Sequence, residues 1–261
     1  MAVAADALRW RDIEGQLYQS SFRSSFSYGS SGSVVVEWTD GNQVFSGTLT
    51  ATSVKPNFAY QMKLVGRASI TSATTPPDPQ TNAEGWASWQ LGSHGRWWDQ
   101  TDQWNLSDAE LPGALAAGHD VVGYLLMDFL VTDRDGSATK SFLLDSSYHV
   151  LWRTDQRTPT SGDSAVVNHT IWRGAWGYGD DPPVEGSTVG VYAEGESGRA
   201  APGTLVMPYG VYPVTFNITE ESFHDNMGYP TITRSYGGFW AQVLEGDLTC
   251  HMWPLAVRWP R

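Results

Sequence analysis

The stretch that decides the fold is VVGYLLMDFLVT, residues 121–132. Almost every position is apolar, so a strand built from it is buried on both faces, as in the middle of a sheet. The turn residues DRDG follow at 133–136, and residues 138–144 are predicted to return beside the first strand. The sequence therefore predicts a β-sheet with this segment near its centre.

Short alternating segments surround this strand. Residues 33–38 and 44–52 flank the turn TDGN, which is a strong hairpin signal. In the strand at 212–219, Val214, Phe216 and Ile218 share one face and Asn217 lies on the other, which predicts that Asn217 faces solvent. Two late strands, 239–244 and 247–253, are expected to meet at a Glu-Gly turn. This spacing favours an all-β fold, an elaborated β-sandwich of immunoglobulin-like or jelly-roll type.

The chain divides into an N-terminal arm, 1–32, and a single β-sandwich domain, 33–261. Within the arm, residues 4–18 are expected to form a short helix, followed by the loose Ser/Gly-rich string SSFRSSFSYGSSG. A Trp-rich insertion occupies about 76–120 after the Pro-rich connector TTPPDPQ. One short helix is predicted near 107–117, where Ser107 and Glu110 fit a capping box.

Residues 53–66, SVKPNFAYQMKLVG, carry a limited resemblance to known families. A Lys-Pro turn followed by Tyr60 at the start of a strand resembles the tyrosine corner of fibronectin type III and immunoglobulin-like sandwiches. FAYQMKLVG and DSSYHVLWRTDQR also look like segments of uncharacterised secreted prokaryotic proteins. The resemblance implies a sandwich and no activity.

Charge and cysteine content exclude several classes of protein. The formal net charge is -12 with only three lysines, so neither nucleic acid nor an anionic membrane is an expected partner. The single cysteine excludes an intrachain disulfide, and no apolar run approaches a transmembrane segment. The start MAVAADALRW resembles a mature secreted chain with an added initiator Met. Sequons at Asn105, Asn168 and Asn217 are candidate glycosylation sites, consistent with secretion or the cell surface, and chance occurrence is the alternative.

Clustered tryptophans offer a candidate binding surface. Five of them lie between positions 86 and 104, and a second aromatic group lies near position 174. Indoles stack on sugar rings while neighbouring polar groups bond hydroxyls, although packing on the core is the commoner use of such side chains. In a strand, Trp97 and Trp98 point to opposite faces. The residues we assign to ligand binding are Trp98, Trp104, Arg96, Asp99, Trp172 and Trp176.

Catalytic and metal signatures are weak. Asp128 is a candidate acid because it lies on an apolar strand face, and a structural role in which an Arg or backbone donors satisfy it is the alternative. The six histidines lack the close spacing of zinc motifs. In the string Cys250-His251-Met252, alternation points His251 away from the other two side chains, which opposes a copper site. We expect no catalytic residue, no metal ligand and no cofactor.

The function we predict is that of a non-catalytic extracellular surface or structural protein. It would bind itself or another extracellular protein, with the N-terminal arm adding a strand to a neighbour's sheet edge. A carbohydrate-binding module that uses its tryptophans as platforms is the alternative. A polysaccharide-active enzyme built on Asp128 and a second carboxylate is a further one.

Overall fold

The computed structural model describes residues 3–10, 33–54, 59–102, 104–133, 135–147, 149–153, 164–173, 184–194, 204–220 and 242–252. This part of the chain is mostly β-strand in two antiparallel sheets with few helices, which confirms the all-β class. The elements are β1 Val3–Trp10, β2 Ser33–Thr39, β3 Ser46–Thr52, β4 Ala59–Gly66, α1 Ala83–His94, β5 Arg96–Asp99, β6 Trp104–Leu106, α2 Leu111–Ala116, β7 Val121–Val131, β8 Ala138–Leu143, β9 His149–Arg153, β10 Ser164–Arg173, β11 Val184–Glu194, β12 Gly210–Glu220 and β13 Gln242–Met252.

Ten strands form the larger sheet in the order β6-β5-β7-β4-β12-β13-β1-β2-β3-β8, and β10-β11-β9 form the smaller one. Strand β7 pairs with β4 on one side and β5 on the other, so its prediction as an interior strand is confirmed. The prediction that residues 138–144 return beside it was wrong, because β8 pairs with β3. The turn itself exists: the Asp133 Oδ1 accepts the backbone N–H groups of Asp135 and Ser137. It redirects the chain toward the other end of the sheet.

The larger sheet curls over its own core. The Phe142 ring on β8 lies 5.9 Å from the Phe216 ring on β12, although four strands separate β8 from β12 in the sheet order. Val214, Phe216 and Ile218 are all 0% exposed, so their predicted shared inward face is confirmed. Burial of these large side chains from both halves of the sheet is the main stabilising contribution, since each contributes roughly 1.5–3 kcal/mol of transfer free energy.

The predicted helix over residues 4–18 was wrong where the structure describes it, because Val3–Trp10 is strand β1. Residues 3–8 of β1 pair with β2, and Arg9 and Trp10 pair with β13. Alanine and leucine favour a helix locally, but hydrogen bonding to two neighbouring strands overrides that weak preference. Residues 11–32 lie outside the described part.

The predicted turn at Glu245-Gly246 was also wrong. Strand β13 runs through both residues without interruption, with Glu245 opposite Asn217 and Gly246 opposite Phe216. Because β12 offers partners along the whole length, the ladder continues through a glycine that on its own weakens a strand.

Helix α1 inside the Trp-rich segment was not predicted. Asn82 caps it by accepting the Gly85 N–H, and the helix lies very close to β7. The N–H of Gly123 donates to the Ser88 Oγ at 3.0 Å, and a Cβ on Gly123 would lie 2.0 Å from the Ser88 carbonyl oxygen. Glycine is therefore required at position 123 for this approach of helix and sheet.

The short helix predicted near 107–117 is confirmed in part as α2, Leu111–Ala116. The capping box forms before it: the Glu110 Oε2 accepts the Ser107 N–H at 3.0 Å, and the Ser107 Oγ accepts the Glu110 N–H at 3.3 Å. The regular helix begins only at Leu111, with a proline in its first turn.

The resemblance to the tyrosine corner concerns Tyr60, the second residue of β4. This residue is fully buried in the core, and residues 55–58, which carry the Lys-Pro turn, lie outside the described part. Elsewhere, a tyrosine hydroxyl does bond a backbone carbonyl four residues upstream: the Tyr212 hydroxyl donates to the Pro208 oxygen at 2.6 Å. Burial raises the pKa of Tyr212, so this donor keeps its proton.

Candidate functional site

The tryptophan-rich segment contributes more to packing than to the surface. Trp86 and Trp97 are buried, while Trp89, Trp98 and Trp104 are half-buried. The Trp86 ring packs against Tyr212 with centroids 4.9 Å apart. The Trp97 indole N–H donates to the Asp108 Oδ1 at 2.7 Å, which satisfies the polar atom of a buried indole.

Strand β5 divides the predicted ligand residues between two faces. Trp98 lies opposite Asn105 and Val122, whereas Asp99 lies opposite Trp104 and Val121. Directly opposed residues share a face, so Trp98 and Arg96 belong to one side of the sheet, and Asp99 and Trp104 to the other. These four residues therefore cannot line one site. Trp172 belongs to β10, where the structure describes only the strand itself, and Trp176 lies outside the described residues.

Asp99 anchors the more distinctive of the two groups. Its side chain is almost fully buried, and its Oδ1 accepts the backbone N–H groups of Thr101 at 2.9 Å and Asp102 at 3.1 Å. The other oxygen, Oδ2, lies 2.7 Å from the His119 Nδ1, and the Asp102 Oδ2 lies 3.8 Å from the same nitrogen. The hydrogen bond to Asp99 raises the pKa of His119 above its ordinary value, and both negative charges act in the same direction.

Two hydrogen bonds between the β5–β6 turn and Asp120 bring these residues together. The Gln100 N–H donates to the Asp120 carbonyl at 2.7 Å, and the Thr101 Oγ1 accepts the Asp120 N–H at 3.0 Å. The β5–β6 turn is thereby fixed against the chain that enters β7. We call Asp99, Asp102, His119 and Trp104 the hairpin site. It combines a buried carboxylate, an exposed carboxylate, a half-buried imidazole and a half-buried indole, which together can bond hydroxyl groups or a cation.

The opposite face of the same hairpin is organised by Tyr124. Its hydroxyl donates to the Asn105 Oδ1 at 2.6 Å, and its strand position lies opposite Arg96. The Asn105 amide is thus half-buried and hydrogen-bonded, which makes it a poor glycosylation acceptor in the folded protein.

The other two sequons also lie on strands. Asn217 is only 6% exposed, so the prediction that it faces solvent was wrong although its face was assigned correctly. The side of the sheet opposite the core is itself covered here, since the neighbouring Lys63 and Thr219 are buried too. Asn168 lies on β10 opposite Gly190, and its side chain is outside the described part.

Asp128, the candidate acid, has a basic partner. Its Oδ1 lies 3.2 Å from the Lys140 Nζ and also accepts the Phe129 N–H at 2.8 Å. A register shift between Met62 and Lys63 interrupts the β4–β7 ladder at this point, and such a bulge re-aims the side chains beside it. The Phe129 N–H is the backbone donor that the structural alternative for Asp128 expects, whereas the basic partner is a lysine rather than an arginine.

The end of β13 matches the predicted alternation. Cys250 and Met252 are buried in the core, and burial raises the pKa of the Cys250 thiol. His251 is half-buried and bonds Asp40, with its Nδ1 2.8 Å from the Asp40 Oδ2. These three consecutive residues therefore do not converge on one metal ion.

The hairpin site is hard to find from the sequence. The spacing of His119 from the other histidines indicates no site, whereas its partner Asp99 lies twenty residues earlier in the chain. Strand β5 pairs with β7, which follows α2 in the chain, and this pairing makes Asp99 and His119 neighbours. The available signal was an aspartate at the start of a turn, where its side chain can bond the backbone two residues further on.

Within the described residues, no helix has the length and apolar character needed to cross a membrane. No family model, curated protein or solved structure matches the chain.

Proposed function

We propose that this protein is a non-catalytic extracellular module with a structural or adhesive role. The observation that carries the proposal is the use of the tryptophan-rich segment as scaffold. Trp86, a residue of α1, packs on Tyr212, and Trp97 is buried against Gly92 of the same helix. The net charge of -12 and the sequon at Asn168 are consistent with an extracellular setting.

We also propose that the curled larger sheet is an elaborated β-sandwich. Strand β1 pairs first with β2 and then with β13, as a strand does when it passes from one layer to the other. The contact between Phe142 and Phe216 joins the two halves across the core. Solution of the structure by crystallography tests this directly, and a single open layer would contradict it.

Self-assembly through the N-terminal arm, 1–32, is the more specific form of this function. Residues 3–8 of strand β1 already pair with β2, and Arg9 and Trp10 pair with β13, so we assign the segment that adds to a neighbour to 11–32. The two edges of the larger sheet are poor acceptors, so the neighbour's edge that accepts the arm would belong to the smaller sheet. Strand β6 has only three residues, and β8 carries Lys140 on its inward face, opposite Leu49. Short strands and inward charges are common protections against edge pairing.

The test replaces residues 11–32 with a Gly-Ser linker of equal length, which leaves β1 intact. Light scattering on the full chain should show an oligomer that becomes monomeric in the replaced variant. A monomeric parent protein, or an oligomer that survives the replacement, would exclude assembly through the arm.

Carbohydrate binding at the hairpin site is the second candidate. Trp104 is half-buried, lies across the strand pair from Asp99, and follows the exposed Asp102 by two residues. An indole beside carboxylate and imidazole groups is a suitable surface for a sugar ring. Trp98 on the other face provides a matched control.

A glycan array followed by calorimetry tests this candidate. Trp104→Ala should weaken binding of any glycan found by about 1–3 kcal/mol, whereas Trp98→Ala should change it little. An array without binding removes the candidate. The enzyme alternative based on Asp128 has less support, because that carboxylate is paired with Lys140.

A further inference from the structure

The geometry points to a divalent metal site of the zinc type formed by Asp99, Asp102 and His119. This inference goes beyond the scaffold function and does not depend on it. It also departs from the expectation of no metal ligand that the sequence alone supports.

The three ligand atoms lie at distances that a metal ion can bridge. The His119 Nδ1 is 2.7 Å from the Asp99 Oδ2 and 3.8 Å from the Asp102 Oδ2, and all three atoms fall within 4.8 Å of one another. A point equidistant from three atoms so spaced lies roughly 1.9–2.4 Å from each, a range that includes the Zn–N and Zn–O distances. The Asp99–His119 contact needs to open by a few tenths of an ångström, because ligands of a tetrahedral ion lie roughly 3.3 Å apart.

The ligand types fit this class of ion. One imidazole and two carboxylates suit zinc or manganese better than calcium or magnesium, which prefer oxygen ligands alone. Among the residues that the structure describes, this is the one group of three ionisable side chains with such convergence. Three protein ligands leave a coordination position for water or for a ligand oxygen.

Support from the backbone distinguishes this group from three polar residues that meet by chance at a surface. The Asp99 Oδ1 is held by two backbone N–H groups, so Oδ2 is the oxygen left to face the imidazole. Asp99 is 1% exposed, and a buried carboxylate so placed is well shielded from solvent. Binding replaces the proton on the His119 Nδ1, which is released to solvent.

Zinc titration of the full chain, stripped with chelator, tests the proposal. At about pH 8, calorimetry should show one ion bound per chain. Asp102→Asn and His119→Gln should each weaken binding at least about tenfold. Asp102 is exposed, so its replacement leaves the fold intact. His251→Gln is the matched control, since His251 also bonds an aspartate, Asp40, and its loss should leave zinc binding unchanged.

A second readout separates specific coordination from loss of fold. Zinc should raise the Tm of the parent protein and of His251→Gln, and should fail to raise that of Asp102→Asn. Binding that survives both ligand substitutions, or that is lost equally in His251→Gln, would overturn the proposal. So would the absence of stoichiometric zinc binding.

Discussion

Replacing Gly123 with alanine tests the packing of α1 on β7. A Cβ at this position would lie 2.0 Å from the Ser88 carbonyl oxygen and 2.2 Å from the Gly92 nitrogen. Both are backbone atoms of the helix, so no side chain can rotate away. Ordinary contact begins at 3.4 Å, and the helix must retreat by more than 1 Å.

The direction of the stability change distinguishes a steric clash from the ordinary effect of replacing glycine with alanine. Without the clash, alanine would stabilise a strand position by roughly 0.5–1 kcal/mol relative to glycine. Overpacking against a rigid neighbour costs about 1–3 kcal/mol and occasionally more. Displacement of α1 also loosens Ala87 and Leu91, both 0% exposed. We therefore expect the free energy of unfolding to fall by about 3 kcal/mol, or the Tm by roughly 6–12 °C for a chain of this size.

Chemical denaturation and calorimetry measure the effect, with Gly113→Ala in α2 as control. A Cβ on Gly113 meets nothing within 4 Å, so alanine there should be neutral or stabilising by at most about 1 kcal/mol. A Gly123→Ala variant as stable as the parent would refute the close packing of helix and sheet. Equal losses at both positions would refute the reasoning from local contacts.

Three further predictions concern the site, the sheet edge and the sequons. An NMR titration of the metal-free protein should place the pKa of His119 above the ordinary 6.5, because Asp99 stabilises its charged form. The contribution of this pair to folding stability is present below the pKa of the unfolded state and is lost as the pH rises through the pKa of the folded state. His119→Gln should therefore reduce the free energy of unfolding near pH 6 and hardly affect it near pH 9. Lys140→Val removes the inward charge of β8 and should cause concentration-dependent association in light scattering, whereas the outward Thr139→Val should not. Mass spectrometry of protein secreted by a eukaryotic host should find Asn217 unmodified, and a glycan there would contradict its burial.

The sequence predicts features that depend on strand alternation or local capping. The inward face of Val214, Phe216 and Ile218 follows from alternation alone, and the Ser107–Glu110 capping box follows from a local pattern. Both are short-range signals. The interior position of β7 likewise follows from its apolar character on both faces.

Features that depend on tertiary contacts could not be predicted. Helix α1 carries Ser88 and Gly92 at positions where an amphipathic helix would show large apolar residues, because close approach to β7 and Trp97 requires small ones there. The sequence of α1 therefore lacks the repeat of large apolar residues from which an amphipathic helix is predicted. Strand β1 has helix-forming residues and becomes a strand only because β2 and β13 are present to pair with it.

The hairpin site was missed for a related reason. Asp99 and Trp104 were assigned to ligand binding with Trp98 and Arg96, but alternation along β5 separates the pairs, and the real neighbour of Asp99 is His119. Such neighbours depend on pairing between strands that are distant in the chain, and a single sequence does not show which strands pair.

Exchange of the Trp97 indole N–H with solvent, followed by NMR, tests the scaffold role of the tryptophan-rich segment most directly. The signal is assigned by its loss in Trp97→Phe. Because this N–H is buried and bonded to the Asp108 Oδ1, we expect exchange as slow as that of the β7 backbone amides. Exchange at the rate of a free indole would show that the segment is open to solvent and would contradict the scaffold role.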